Sequence, residues 1–331
     1  MDVFYVEVEG GNFGDDMNLW FWSELFPEHR DLAPGTTLFG IGSVLWRDNL
    51  RAHDSILVLG SGSGYGTTPE AVPDHVRVAW VRGPRTGARL KLDPAQVITD
   101  PACMVPTFPE FRDIEPTGET ILMPHVGTAR LALDWDEIAA RAGASYLSPA
   151  GDSKAIIRRL AGAKLVVTES LHGAILADAF RVPWVAMGIS PTFNSYKWLD
   201  WGDSMEMPMR IAPCLTGFKR LYALQGRARS WVKGLRASTG SGATATGAAA
   251  KARAAAETGA AEFSLSRGEK DRARALFRRF KGPLGAMIAR DVRRATKGPT
   301  QLSDERVLRG RQDAITRRIE EVRASLRQDR R

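Results

Sequence analysis

The chain has 331 residues, enough for two domains that each bury a core. Its net charge of +8 is unevenly spread: residues 1–218 hold 18 Lys and Arg against 27 Asp and Glu, a net of −9, while residues 219–331 hold 28 against 11, a net of +17. The two cysteines, Cys103 and Cys214, lie far apart, which excludes metal-ligand spacing and fits a reducing compartment.

The first residues, MDVFYVEVEGG, lack the basic start and long apolar run of a signal peptide, and no window reaches the ~20 apolar residues of a spanning helix. A cytoplasmic protein, free or peripheral at the inner membrane, is expected. Val3 to Val8 predicts a strand, followed by the loop Glu9 to Asp16 and a helix from Met17 to Leu25. Thr37–Leu45 and Ser55–Leu59 predict further strands, the second running into the glycine-rich Gly60 to Gly66. Val76–Val81 predicts another strand, leading into Arg82-Gly83-Pro84-Arg85-Thr86 and a helix to about Leu92. Val97 to Ala102 closes this half. Strands, glycine-bearing loops and helices in alternation predict a parallel sheet with crossovers.

Two prolines and several charges between Phe108 and Thr120 suggest an interdomain link. Ile121 to Gly127 restarts the pattern, and helices follow at about Asp134–Ala142 and Ser153–Ala161. The run Ala163 to Met187 then reads as strand, loop, helix and strand. Leu165-Val166-Val167 is apolar and β-branched, as a buried parallel strand requires. Pro183 stops the helix that begins near His172. The predicted architecture is α/β, with Rossmann-like parallel-sheet domains over residues 1–112 and 119–218.

Residues 219–331 form a third segment. Ser238 to Ala261 is nearly all Ala, Gly, Thr and Ser, a low-complexity spacer. Arg267–Arg294 and Ser303–Arg327 predict basic amphipathic helices. Their apolar stripes suit packing on the body, and their charge suits an anionic membrane surface. Nucleic acid is the weaker partner, because the tail offers few aromatics for base stacking.

Several chemistries are excluded by motif. The Gly60–Gly66 run does not satisfy G-x-G-x-x-G, and there is no P-loop lysine, G-x-S-x-G elbow or metal-ligand set. What remains lies at predicted strand ends, where open α/β sheets bind ligands. Asn12, Gly14 and Asp15 place an amide and a carboxylate beside glycines. Arg82 aims a guanidinium from a strand end, a group suited to bidentate binding of carboxylate or phosphate. Asp100-Pro101-Ala102 is ordinary turn chemistry by itself. His172 follows Glu169 and Ser170 at a helix start that favours anions. Lys197 stands among aromatics beyond the last strand.

In order and rough spacing, Asn12-x-Gly14-Asp15, Arg82-Gly83-Pro84-x-Thr86, Asp100-Pro101-Ala102 and Glu169-Ser170-Leu171-His172-Gly173 resemble the motifs of the polysaccharide pyruvyltransferases, in their bacterial exopolysaccharide branch. The resemblance spans about residues 5–200. It implies a two-domain fold of the GT-B glycosyltransferase type with the active site between the halves. It also implies transfer of the enolpyruvyl group of phosphoenolpyruvate onto two hydroxyls of a sugar, giving a cyclic pyruvate ketal. The donor is then a substrate, no cofactor is needed, and the acceptor is a sugar of a repeat unit that can be lipid-linked.

Many members carry an arginine two residues before the motif histidine, where this chain has Ser170. Arg82, Arg85 or Lys197 would then supply the positive charge. In that chemistry His172 would bind the donor or act as acid, Asp15 would take a hydroxyl proton, and Asn12 would orient the acceptor. A nucleotide-sugar glycosyltransferase is the alternative that the same fold would serve.

Overall fold

The computed structural model describes residues 1–190, 193–214 and 282–329. It is an α/β structure with two parallel sheets. The first holds β1 (Asp2–Phe4), β2 (Thr37–Phe39), β3 (Ile56–Leu59) and β4 (Val76–Trp80), in the order 1-2-3-4. The second holds β5 (Thr120–Met123), β6 (Ser145–Tyr146), β7 (Leu165–Thr168), β8 (Trp184–Gly188) and β9 (Ile211–Pro213), in the order 6-5-7-8-9.

The central strands are apolar because both faces are covered. All four residues of β3, Ile-Leu-Val-Leu, and all four of β7, Leu-Val-Val-Thr, are buried. Strands are shorter than the apolar runs that predicted them. β1 stops at Phe4, and β2 stops at Phe39, where Gly40 packs on Trp22 and Gly42 turns the chain at φ +124°.

The helix expected over Met17–Leu25 is broken into Phe13–Asp16, a 3-10 turn Met17–Leu19, and Phe21–Leu25. Asn18 accounts for the break. Its side chain donates to the carbonyls of Asp15 and Ile41 and accepts from the Ile41 amide and the Trp22 indole. A side chain that competes for backbone partners in this way disfavours a continuous helix. Helices elsewhere begin at caps visible in the sequence, with Asp134, Asp152 and Ser170 each accepting from the first turn.

The segment 109–119 carries Phe111, which is buried with Phe108 in the core shared by the two halves. After residue 281 the chain returns to the body. A helix over 282–295 buries Leu284, Ile288 and Val292 against Leu122, Ile138 and Val185 of the second sheet's layer. The helix Glu305–Gln328 buries Leu308, Ile315, Ile319, Val322 and Leu326, and touches β4 and the turn Pro101–Thr107 of the first half. Of the two expected tail helices, residues 267–281 lie outside the described residues, as does the spacer Ser238–Ala261.

Candidate active site

The carboxyl ends of both sheets meet at one seam, so loops that are far apart in sequence become neighbours. The Phe13 amide donates to the Pro149 carbonyl at 2.9 Å, and the Trp20 indole to the Ser153 hydroxyl at 2.9 Å. Farther along, Ser63 meets the Tyr196 hydroxyl at 3.1 Å, and the Asn194 side chain donates to the Gly64 carbonyl.

Asp15 and His172 come together here from opposite halves. Asp15 lies in the short helix that Asn12 precedes, and the Asn12 side-chain Nδ2 donates to Asp15 Oδ2 at 2.6 Å. Gly14 has no room for a side chain, since a Cβ would sit 2.1 Å from Nδ1 of His172. Burial raises the Asp15 pKa, against the lowering effects of His172, the Asn12 hydrogen bond and Lys197. A carboxylate held this way is a better proton acceptor than an exposed one.

His172 opens the helix Leu171–Ala179, with Ser170 as its N-cap accepting from the Gly173 amide at 3.4 Å. Ser170 is thus tied to the helix start. Glu169 is buried behind it. Its Oε1 accepts from the amides of Ile189 and Ser190 at 3.0 and 2.5 Å, and its Oε2 from the His125 amide at 3.1 Å. One carboxylate therefore gathers the loops after β5, β7 and β8. Desolvation raises its pKa in spite of these bonds.

Arg82 is only 1% exposed and reaches across the seam. Its Nε donates to Asp200 at 3.2 Å, Nη1 to the Ser43 hydroxyl at 2.7 Å and Nη2 to the Ser63 carbonyl at 2.9 Å. Asp200 in turn accepts from the amide and hydroxyl of Thr86 at 2.9 and 2.8 Å. Gly62 and Gly83 make this packing possible, because a Cβ on either would collide with Arg82 or Asp200. Arg85 is half-exposed and paired with Asp203 at 2.7 Å.

Lys197 lines a small pocket with Tyr65, His125, Thr128, Glu169 and Asn194. Its ammonium donates to the Tyr65 hydroxyl at 2.6 Å and lies 4.5 Å from that ring's centre. Gly64 lets the lysine stem pass, where a Cβ would come within 2.6 Å of it.

Sequence reasoning missed His125. Its Nδ1 accepts from the Gly127 amide at 3.2 Å, so the neutral ring carries its proton on Nε2. Burial first, and Lys197 second, bring its pKa down to about 4. The signal that could have found it was its place two residues after β5 as the cap of the next helix, equivalent to that of Ser170 after β7. Asp100, ordinary turn chemistry by itself and part of one family motif, is fully buried and lies 3.8 Å from His172 across the seam.

A model of the family described as polysaccharide pyruvyl transferase matches residues 74–191, the stretch that carries Arg82, Asp100, His125 and His172. The chain is also 41% identical to the succinoglycan biosynthesis protein ExoV of Rhizobium meliloti (strain 1021). That alignment spans 237 residues, 71% of this chain and 72% of its relative.

Proposed function

Because this chain belongs to the polysaccharide pyruvyl transferase family and is a pyruvyltransferase, we propose that it takes phosphoenolpyruvate as donor and builds a cyclic pyruvate ketal on a sugar of an exopolysaccharide repeat unit. The observation that carries this reading is the meeting of His172 and Asp15 over Gly14, an acid and a base from opposite halves on one seam. We read the paired parallel-sheet halves as a fold of the GT-B glycosyltransferase type.

Ketal formation needs protonation of the enol carbon, attack of one sugar hydroxyl on the cation-like carbon, and loss of phosphate as a second hydroxyl closes the ring. His172 is assigned the proton donor. Asp15, its basicity increased by burial, is assigned the hydroxyl proton, and Asn12 orients the carboxylate that takes it. Each such transfer contributes roughly 10²–10⁴-fold.

The donor's negative charge is met by Lys197, by the Nε2 proton of His125 and by the amino end of the helix that starts at Leu171. Arg82 has three donors engaged inside the protein and is assigned to joining the halves. Ser170 and Glu169 shape the histidine loop behind the donor. The acceptor is a sugar of the repeat unit, free or carried on a lipid.

The test is incubation of the protein with phosphoenolpyruvate and an oligosaccharide repeat unit, free or lipid-linked. Release of phosphate matched by one ketal's gain in acceptor mass is expected. Phosphate release without acceptor modification, or activity only with nucleotide-sugars, would overturn the reading.

A further inference from the structure

Two buried polar atoms face each other across the seam, and neither has a hydrogen-bond partner. One is Oδ2 of Asp100, from the first half; the other is Nε2 of His172, from the second. They stand 3.8 Å apart, with the Asp100 side chain fully buried and that of His172 12% exposed. A buried polar group left unpaired is destabilising, so two that point at each other call for an explanation. The distance suits an ion pair but exceeds a hydrogen bond.

The remaining atoms of both groups are accounted for. Oδ1 of Asp100 accepts from the Ala102 amide at 3.0 Å, which fixes the carboxylate plane and directs Oδ2 away from its own turn. Nδ1 of His172 lies on the opposite edge of the ring, over Gly14 and on the side of Asp15. The halves are held in this register by the buried Arg82–Asp200 pair.

We propose that Asp100 is a positioning residue: it holds the Nε2 proton of His172, so that Nδ1 is the nitrogen that exchanges a proton with the substrate. The inference rests on the reading of His172 as the acid. A small turn of the imidazole, as a donor fills the seam, closes the contact to a charge-assisted hydrogen bond. Protonated at both nitrogens, the ring gives up its Nδ1 proton and returns to the neutral form with the proton on Nε2. The charged groups that face the ring are Asp100, which caps the turn Pro101–Thr107, and Asp15, from the helix Phe13–Asp16; Lys197 also acts on Asp15.

Asp100→Asn keeps Oδ1 as the cap on Ala102 but turns an NH₂ toward Nε2, which favours the opposite tautomer. Turnover should fall by about 100-fold or more, with KM for phosphoenolpyruvate within about 3-fold, as expected of a wrongly protonated imidazole. The pH–rate profile should also move, which a purely structural cap would not cause. Independently of any variant, ¹⁵N NMR of histidine-labelled protein, with the His172 signal assigned by its loss in His172→Gln, should show the neutral ring as the Nε2–H tautomer. An Nδ1–H tautomer in the unmodified protein, or unchanged turnover and pH profile in a folded Asp100→Asn, would overturn the proposal. Full activity in His172→Gln would instead overturn the role of the histidine, and the NMR result would still decide its contact with Asp100.

Discussion

A methyl group at position 14 would have to occupy space that the His172 imidazole already fills. Gly14→Ala should therefore move the ring or open the seam. Activity is expected to fall far more than the melting temperature, as assay and thermal melt on the same preparation will show. His125 gives a prediction with a pH sign. Its folded pKa of about 4 lies below the usual 6.5, so the unfolded chain takes up the proton first. The protein is thus destabilised progressively as pH falls from about 6.5 to 4, by on the order of 2 kcal/mol after allowance for partial solvent screening. His125→Gln should flatten that part of the stability curve, measured by urea denaturation at several pH values. An equally steep fall in the variant would place the proton uptake elsewhere.

At the scale of elements, the helix Glu305–Gln328 forms because one of its faces is apolar at helical spacing, and it stays on the body because that face has a partner. Arg318 strengthens the docking by donating to the carbonyls of Ala79 and Ala95, and Gln312 by donating to that of Cys103. Ile319 is 3% exposed within the shared core. Ile319→Ala should cost about 2–4 kcal/mol in chemical denaturation, the range for deleting a buried aliphatic side chain. A loss below about 1 kcal/mol would mean that the helix is only loosely docked. Glu169 works at the same scale from inside, since its oxygens bind the loops after three strands into one wall of the site.

For the whole molecule, the decisive contact is the buried pair between Arg82 of the first half and Asp200 of the second, at 3.2 Å. Breaking such a pair leaves an uncompensated charge, which costs about 3–5 kcal/mol. Lysine keeps the charge of Arg82 but not its fork to Asp200, Ser43 and Ser63. Arg82→Lys is therefore expected to lower the melting temperature first, with apparent affinity for phosphoenolpyruvate altered only as the seam loosens. A variant with native stability and a large rise in KM would return Arg82 to the donor site. The body's second layer is also completed late in the chain: Ser303 donates to Asp178 at 2.5 and 2.7 Å, and Gln301 pairs with Trp184. Among the described residues, no helix is long and apolar enough to cross a membrane.

Short-range signals specify the two α/β units, because apolar β-branched runs, capping aspartates and breaker residues act within a few positions of one another. Leu165-Val166-Val167, Asp152 and Pro183 are legible for that reason. The sequence also placed Asp15 and His172 at strand ends, and the order of four weak motifs gave the family. The tertiary structure alone decided which strand ends share a seam. That depends on packing between residues more than a hundred positions apart, such as Arg82 with Asp200 and Ser63 with Tyr196. The same cause hid His125 and the contact of Asp100 with His172. An N-cap histidine and an Asp-Pro turn look ordinary locally, and they become notable only when burial lowers the pKa of one and leaves an oxygen of the other facing His172. It also decided the partner of the C-terminal apolar stripe, because a stripe on one helix specifies burial but not the surface that provides it.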